Sequence, residues 1–302
     1  MDEKFRGTAE MTAAMIISGT IGWFVVKSGQ DVVAVVFWRC LFGAATLAAV
    51  CAAMGFLRRG AIARKQLGLA VLGGLAIVGN WLLLFAAYPR ASISIATAVY
   101  NTQPFMLVGL GTLFFAERLT ANKLAWLAIA FAGMLLIVQA KGEHGQSGTD
   151  YLAGILFALG AALLYAIASI VAKKLKGVPP HLIALIQVCV GVLALAPLTN
   201  FAHAPADAST WGLLITLGMA HTGLMYILLY GAIQKLPTSL IGALSFIYPI
   251  VAILVDLIAF GHRLQLIQLV GAAAILLAAA GMTLGWSLRR TVPDLCRQAT
   301  ER

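Results

Sequence analysis

Three ionisable side chains sit inside long apolar stretches of this sequence: Arg39, His221 and Asp256. At mid-depth in a bilayer an unpaired charge costs roughly 2.5–3.5 kcal/mol on insertion scales, so such residues are expected to be paired or functional. Arg39 stands about eight residues from the end of its stretch and Asp256 about six from the corresponding end; at roughly 1.5 Å per residue their depths differ by only about 3 Å. A buried Arg39–Asp256 pair is therefore one expectation, as a strut or as a gate near that face. Two others stay open for Arg39: capture of a carboxylate by the guanidinium fork, and snorkelling to the rim. His221 lies near mid-membrane. Its ring titrates near neutral pH and suits a proton step, or it stands neutral in a hydrogen bond to a neighbouring helix.

Aromatic and amide side chains form the second group. Trp81 with Phe85, and Tyr226 with Tyr230, are i,i+4 pairs that each make a ridge on one helix face. Asn80 adjoins the first ridge, and Trp23 and Tyr165 lie in two further apolar stretches. Such rings hold an apolar or aromatic group, or a cation over a face, and they equally serve as core packing. Tyr100, Asn101 and Gln103 precede Pro104, while Ser245 and Tyr248 precede Pro249. Proline removes a backbone donor and frees the carbonyl four residues earlier, here that of Tyr100. In lipid that carbonyl and the amides need partners or water, which predicts a cavity-facing cluster or a satisfied kink. Both prolines are expected to act as hinges.

The elements that must position these groups are membrane-spanning helices. The chain of 302 residues is 61% hydrophobic and 11% charged, with mean hydropathy +0.94, against roughly 45–50% apolar and about 25% charged in soluble domains. Ten stretches reach spanning length: 8–27, 31–56, 67–88, 91–116, 122–140, 151–173, 181–200, 209–234, 237–261 and 265–288. They are continuously apolar, which predicts helices rather than a barrel. With the N-terminus in the cytoplasm, 16 Lys and Arg fall on the cytoplasmic side and 4 on the other, and both termini come out cytoplasmic. The net charge of +10 is thus spread by topology and makes no nucleic-acid groove. The four cysteines lack metal-ligand spacing and are read as apolar filler, and no disulfide, metal or cofactor is expected. His144, His181, His203 and His262 are scattered without paired acids or a nucleophile motif, which argues against an enzyme. Nothing suggests the selectivity ring of a channel.

The second half repeats the first at an offset of 145 residues. Across Ser94–Leu119 and Ser239–Leu264, six of 26 positions are identical without a gap, including Pro104/Pro249 and Arg118-Leu119/Arg263-Leu264. Trp81 and Phe85 align with Tyr226 and Tyr230. Earlier in the halves, Gly43 faces Gly191 and Leu47 faces Leu195 at an offset of 148. Five spans per half is an odd number, so the repeat is expected to be inverted across the membrane. The expected division is residues 1–145, residues 146–290 and a short cytoplasmic tail, 291–302.

Two five-span units, each with a proline in its fourth span, resemble the drug/metabolite transporter superfamily and its EamA-type branch. That run reads here Pro104…Glu117-Arg118-Leu119-Thr120…Gly133, while the second unit has His262 and Gln265 at the Glu and Thr positions. Within the superfamily the chain is most similar to bacterial amino-acid exporters, including the aromatic amino-acid exporter (YddG-type) group. The resemblance implies an all-α membrane protein of ten helices, two inverted five-helix repeats around a central cavity, with spans 5 and 10 packed to one side. It implies an inner-membrane carrier of a small molecule, acting as a monomer or weak homodimer. The scarcity of central charge disfavours polyanions, and a zwitterionic or weakly amphipathic metabolite fits better.

Overall fold

The computed structural model describes residues 2–58, 60–91, 96, 99–139, 149–260 and 266–287. Regular structure among them is helical: α1 (Glu3–Ser28), α2 (Val32–Ala53), α3 (Arg64–Ala91), α4 (Gln103–Phe115), α5 (Ala121–Gln139), α6 (Thr149–Lys174), α7 (Pro180–Leu195), α8 (Ala208–Lys235), α9 (Thr238–Ser245), α10 (Ile247–Phe260) and α11 (Leu266–Leu284). Six helical runs are long and apolar enough to cross a membrane, namely α1, α2, α3, Asp150–Lys174, Pro180–Leu198 and α8. Four apolar helices are shorter: α4, Ala121–Leu136, Thr238–Val251 and Leu269–Met282. The outward surface is greasy, with Ile258 83%, Leu193 78% and Leu113 74% exposed, as a lipid-facing surface must be.

Local chemistry sets the helix ends. Asp31 caps α2 by accepting from the backbone N–H of Val33 and Ala34, and Asp207 caps α8 through Thr210. Pro180 opens α7 at a position where its missing N–H costs nothing, and Pro237 immediately precedes α9. Gly29 closes α1 at φ 61°, a left-handed cap that a side chain would strain.

The packing joins the halves rather than separating them. α1 lies on α8, α3 on α6, α2 on α7, α4 on α9 and α5 on α11, so each main interface pairs a helix before residue 140 with one after residue 148. Neither half is a bundle of its own. The α5–α11 pair has a separate small core of Trp126, Leu127, Ala130, Met134, Ile275 and Ala278. A Cβ on Gly133 would fall 2.6 Å from the Gly271 carbonyl, so this close approach requires glycine. The larger core runs through the other helices and holds Cys40 and Cys51 as buried free thiols.

Candidate functional site

At the centre of the larger core, four helices bring polar groups and aromatic rings together. The Arg39 guanidinium lies 4.0 Å over the Trp81 ring. Trp81 meets Tyr226 edge-on at 5.7 Å, and Tyr226 meets Tyr230 at 5.2 Å. The Tyr230 hydroxyl donates to Gln187 Oε1. Arg39, Tyr230 and Gln187 are each 1% exposed. On the adjoining side Tyr100 packs against Tyr165 at 6.2 Å, and Asn80 donates to the Ala161 carbonyl at 2.7 Å and to the Tyr100 hydroxyl at 3.4 Å. Helices from both halves therefore supply one buried aromatic and polar centre. Among the described residues, buried Gln187 Nε2 and, at the start of α4, buried Gln103 Oε1 have no hydrogen-bond partner.

A π turn over Met219–Leu224 interrupts α8 beside this centre. Such turns leave carbonyls without their usual i+4 donors and are frequent at functional sites. Here side chains fill the gap. Thr222 Oγ1 donates to the Leu217 carbonyl at 2.9 Å, and His221 Nδ1 lies 3.3 Å from the Thr216 carbonyl. Arg39 Nε donates to Thr222 Oγ1 at 3.1 Å and Nη2 to the His221 carbonyl at 3.4 Å. His221 Nε2 is 2.7 Å from Thr20 Oγ1, and its ring lies 4.7 Å from that of Phe24 at a tilt of 57°. His221 is thus a buried, hydrogen-bonded histidine held between α1 and α8.

The two proline segments are broken at matching places. In the first half the chain turns at Asn101 and Thr102 before α4 begins, with Pro104 in its first turn. In the second, Phe246 separates α9 from α10 just before Tyr248-Pro249. A Cβ on Gly242 would sit 3.1 Å from Pro104 Cβ, so α9 lies in close contact with the first break. Asn101, Gln103 and both prolines are buried, and Tyr248 is half-buried. Ser245 donates back to the Ile241 carbonyl at 2.8 Å, satisfied within its own helix. Trp23 is half-buried and packs edge-on to Phe24 at 4.9 Å. Ser94, Thr97 and Ala98, which fall with Asn101 at i, i+3, i+4 and i+7 spacing in the sequence, and His262 lie outside the described residues. So does the Asp256 side chain; its helix α10 packs on α1 and α11, whereas α2, which carries Arg39, packs on α7, α8 and α3.

At the face richest in Lys and Arg, two ion pairs tie the halves. Glu117 Oε1 lies 2.6 Å from Lys173 Nζ, and its Oε2 accepts from the Thr238 backbone N–H at 2.9 Å and hydroxyl at 2.7 Å. Lys173 also donates to the Leu236 carbonyl at 2.8 Å. Glu10 bridges Lys235 at 2.6 Å and Arg6 at 3.0 Å. Ala116, in the left-handed region at φ 52°, ends α4 and turns the chain into Glu117. Burial pushes the Glu117 carboxyl up, but the Lys173 and Thr238 donors outweigh it and hold it below the usual carboxylate range. Gly111 permits the contact, since a Cβ there would lie 2.2 Å from Thr238 Oγ1.

Interlocked helices, six of those described long and apolar enough to cross a membrane, around a buried polar centre are the build of a multi-pass membrane protein. The chain belongs to the EamA-like transporter family, which it matches twice, over residues 7–139 and 152–284. It is 29% identical over 302 residues to the uncharacterized transporter YxxF of Bacillus subtilis, covering 99% of this chain and 95% of that one. A probable amino-acid metabolite efflux pump of Salmonella typhimurium is 26% identical, over 76% of this chain and 82% of its own length. The aromatic amino acid exporter YddG of Ancylobacter novellus is 23% identical over 62% and 65%. A solved crystal structure, 20% identical, superposes with TM-score 0.82 over 95% of this chain and 98% of that one, which shows the fold. A family of transporters makes this protein a transporter and not an enzyme, acting on a small molecule.

Sequence reading missed Gln187, Thr222 and the two basic-face ion pairs. Gln187 is an isolated amide inside an apolar span, and searching those spans for amides as well as charges would have found it. Glu117 stood out within the family run, but Lys173, 56 residues further on, carried no local signal.

Proposed function

We propose that the protein is a carrier that exports small amphipathic metabolites, foremost neutral and aromatic amino acids, across a bacterial inner membrane. Both termini lie in the cytoplasm and the ten spans form two inverted repeats. The observation that carries this reading is the aromatic and polar centre built jointly by the halves. A site shared between halves changes its access when they rock, which is the physical basis of alternating access. In this reading the basic face is cytoplasmic, and the Glu117–Lys173–Thr238 and Glu10–Lys235 contacts hold that side shut. Opening requires both to break, with the chain bending at the paired breaks before Pro104 and Pro249. The names of two relatives, an amino-acid metabolite efflux pump and an aromatic amino acid exporter, support the substrate class. The site lies within one chain, so a monomer or weak homodimer suffices. Net flux follows the substrate gradient, with no cofactor or metal in the cycle. Counterflow in proteoliposomes with a panel of labelled amino acids tests the proposal. Saturable, stereoselective exchange is expected. Flux of cationic drugs with none of any amino acid would overturn the substrate class.

A further inference from the structure

Arg39 and Gln187 occupy equivalent places in the two halves, because the offset of 148 that pairs Gly43 with Gly191 also pairs Arg39 with Gln187. They stand at the two ends of the ring series Trp81, Tyr226 and Tyr230, Arg39 against the first and Gln187 on the hydroxyl of the last. Both are buried donors. Among the described residues Gln187 Nε2 has no hydrogen-bond partner. Arg39 is held by one hydroxyl and one carbonyl, and among the described side chains, of which that of Asp256 is not one, no carboxylate lies within ion-pair distance of it. Neutral oxygens solvate a cation but do not neutralise it, and buried charges are normally paired. What fits beside a buried guanidinium is an anion with two oxygens, which its fork receives in plane. What fits beside the indole and phenol rings is a flat or apolar group.

The geometry points to Arg39 as the residue that recognises a carboxylate on the transported molecule, with the Trp81–Tyr226 ridge contacting its apolar part and Gln187 Nε2 donating to a second acceptor. This rests on the carrier reading above and narrows it: the substrate must carry a carboxylate, and amines or amides with the same side chain are poor substrates. A purely structural role for Arg39, bracing α2 against the π turn of α8, predicts something different, since loss of the brace weakens acid and amide alike.

The test compares 3-phenylpropionate with 3-phenylpropanamide for binding, by tryptophan fluorescence of the purified full-length protein. Counterflow in proteoliposomes then compares phenylalanine with phenylalaninamide. The wild-type protein is expected to prefer the carboxylate by about tenfold or more, the scale of a charge-assisted hydrogen bond. Arg39→Gln is expected to reduce that preference to within about twofold while the amide still binds. Arg39→Lys keeps the charge without the fork and is expected to fall between; it gives the reading if the glutamine variant does not fold. Equal wild-type binding of acid and amide would overturn the assignment, as would parallel loss of both in the variants. Normal transport by an Arg39→Asp, Asp256→Arg double variant would overturn it too, by showing a strut. Arg39-dependent carboxylate binding without flux of any amino acid would uphold Arg39 and reject the amino-acid export reading.

Discussion

At the basic face Lys173 and Lys235 each hold a carboxylate at 2.6 Å, whereas at the centre Arg39 holds a hydroxyl, a carbonyl and an indole face. Both regions join the two halves, and they use charge in opposite ways. A paired charge is a clasp: its energy is spent when the partners meet, and it is recovered only if they stay together. A cation left without a carboxylate in low dielectric keeps its demand for an anion. The clasp also sits where water can replace either partner on opening, with the Glu117 and Lys173 side chains 19% and 15% exposed, so breaking it is affordable in a working cycle. The guanidinium, 1% exposed, has no such access to water. In the proposed cycle the paired charges mark the contact that opens and closes, and Arg39, without a carboxylate among the described side chains, marks where a charged group arrives.

Four substitutions would break or sharpen that contrast. The largest effect is expected at Gly111. Gly111→Val places methyl groups where Thr238 now lies, so α4 and α9 cannot close. The basic face is then held open, exchange falls by an order of magnitude or more, and a cysteine placed on the Thr238 side becomes reactive to a water-soluble maleimide. Unchanged reactivity would show that this contact does not set closure. Next comes Trp81→Ala, which removes the ring under Arg39. Loss of a ring–ring contact with an aromatic ligand is worth about 1 kcal/mol. Binding of aromatic amino acids should weaken by about fivefold in a fluorescence or calorimetric titration, and aliphatic ones should weaken less. Equal weakening of both would demote the ridge to packing.

Glu117→Gln keeps the shape and the Thr238 acceptor but removes the charge. The lost interaction is of order 1–2 kcal/mol for a charge-assisted bond at a partly exposed site. Maleimide reactivity at the basic face should rise several-fold, and the exchanged pair Glu117→Lys with Lys173→Glu should restore part of it. The wild-type clasp has a definite pH signature. Because the Glu117 carboxyl is held below the usual range, its stabilisation is complete above that range and lost as pH falls through the lowered value. Closure should be flat between about pH 5 and 8, since an ordinary carboxyl titrates near 4.3. A midpoint near neutrality would mean another group governs it. The smallest effect is expected for Ala116→Gly. A non-glycine residue in the left-handed region costs about 1 kcal/mol. The glycine variant should gain up to that much thermal stability with transport unaltered, and a loss would mean that the strain positions Glu117.

The proline breaks were legible beforehand, because Pro104 and Pro249 change the backbone locally whatever surrounds them. The hinge expectation itself awaits Pro104→Ala and Pro249→Ala variants; normal export rates in both would remove it. The aromatic residues were legible as ridges, but their partners were not. Trp81 and Tyr226 align in the repeat, yet nothing in the alignment says that they touch. For Arg39 the depth argument admitted a carboxylate partner in Asp256, whose side chain lies outside the described residues; the contacts described for Arg39 come from the π turn of α8 and from Trp81. A π turn is a single extra residue in a long apolar helix, and hydropathy cannot register it. Ser245 was legible as a polar residue before Pro249, and only the structure shows its hydroxyl bonded to the Ile241 carbonyl of its own helix.

Taken alone, the sequence determined membrane residence, the family, the repeat and the points where helices break. These follow from sums over short windows, namely apolar content, proline geometry and the distribution of basic residues, and short windows carry them fully. Only the tertiary structure decided that the halves interlock helix by helix, that Glu117 reaches Lys173 and Thr238, and that Arg39 and Gln187 bracket one series of rings. In a soluble protein the polar face of each helix would have announced which side turns inward. Here both sides are apolar, so the choice of neighbour rests on the fit of small residues such as Gly111, Gly133 and Gly242, which takes shape only when helices far apart in sequence meet.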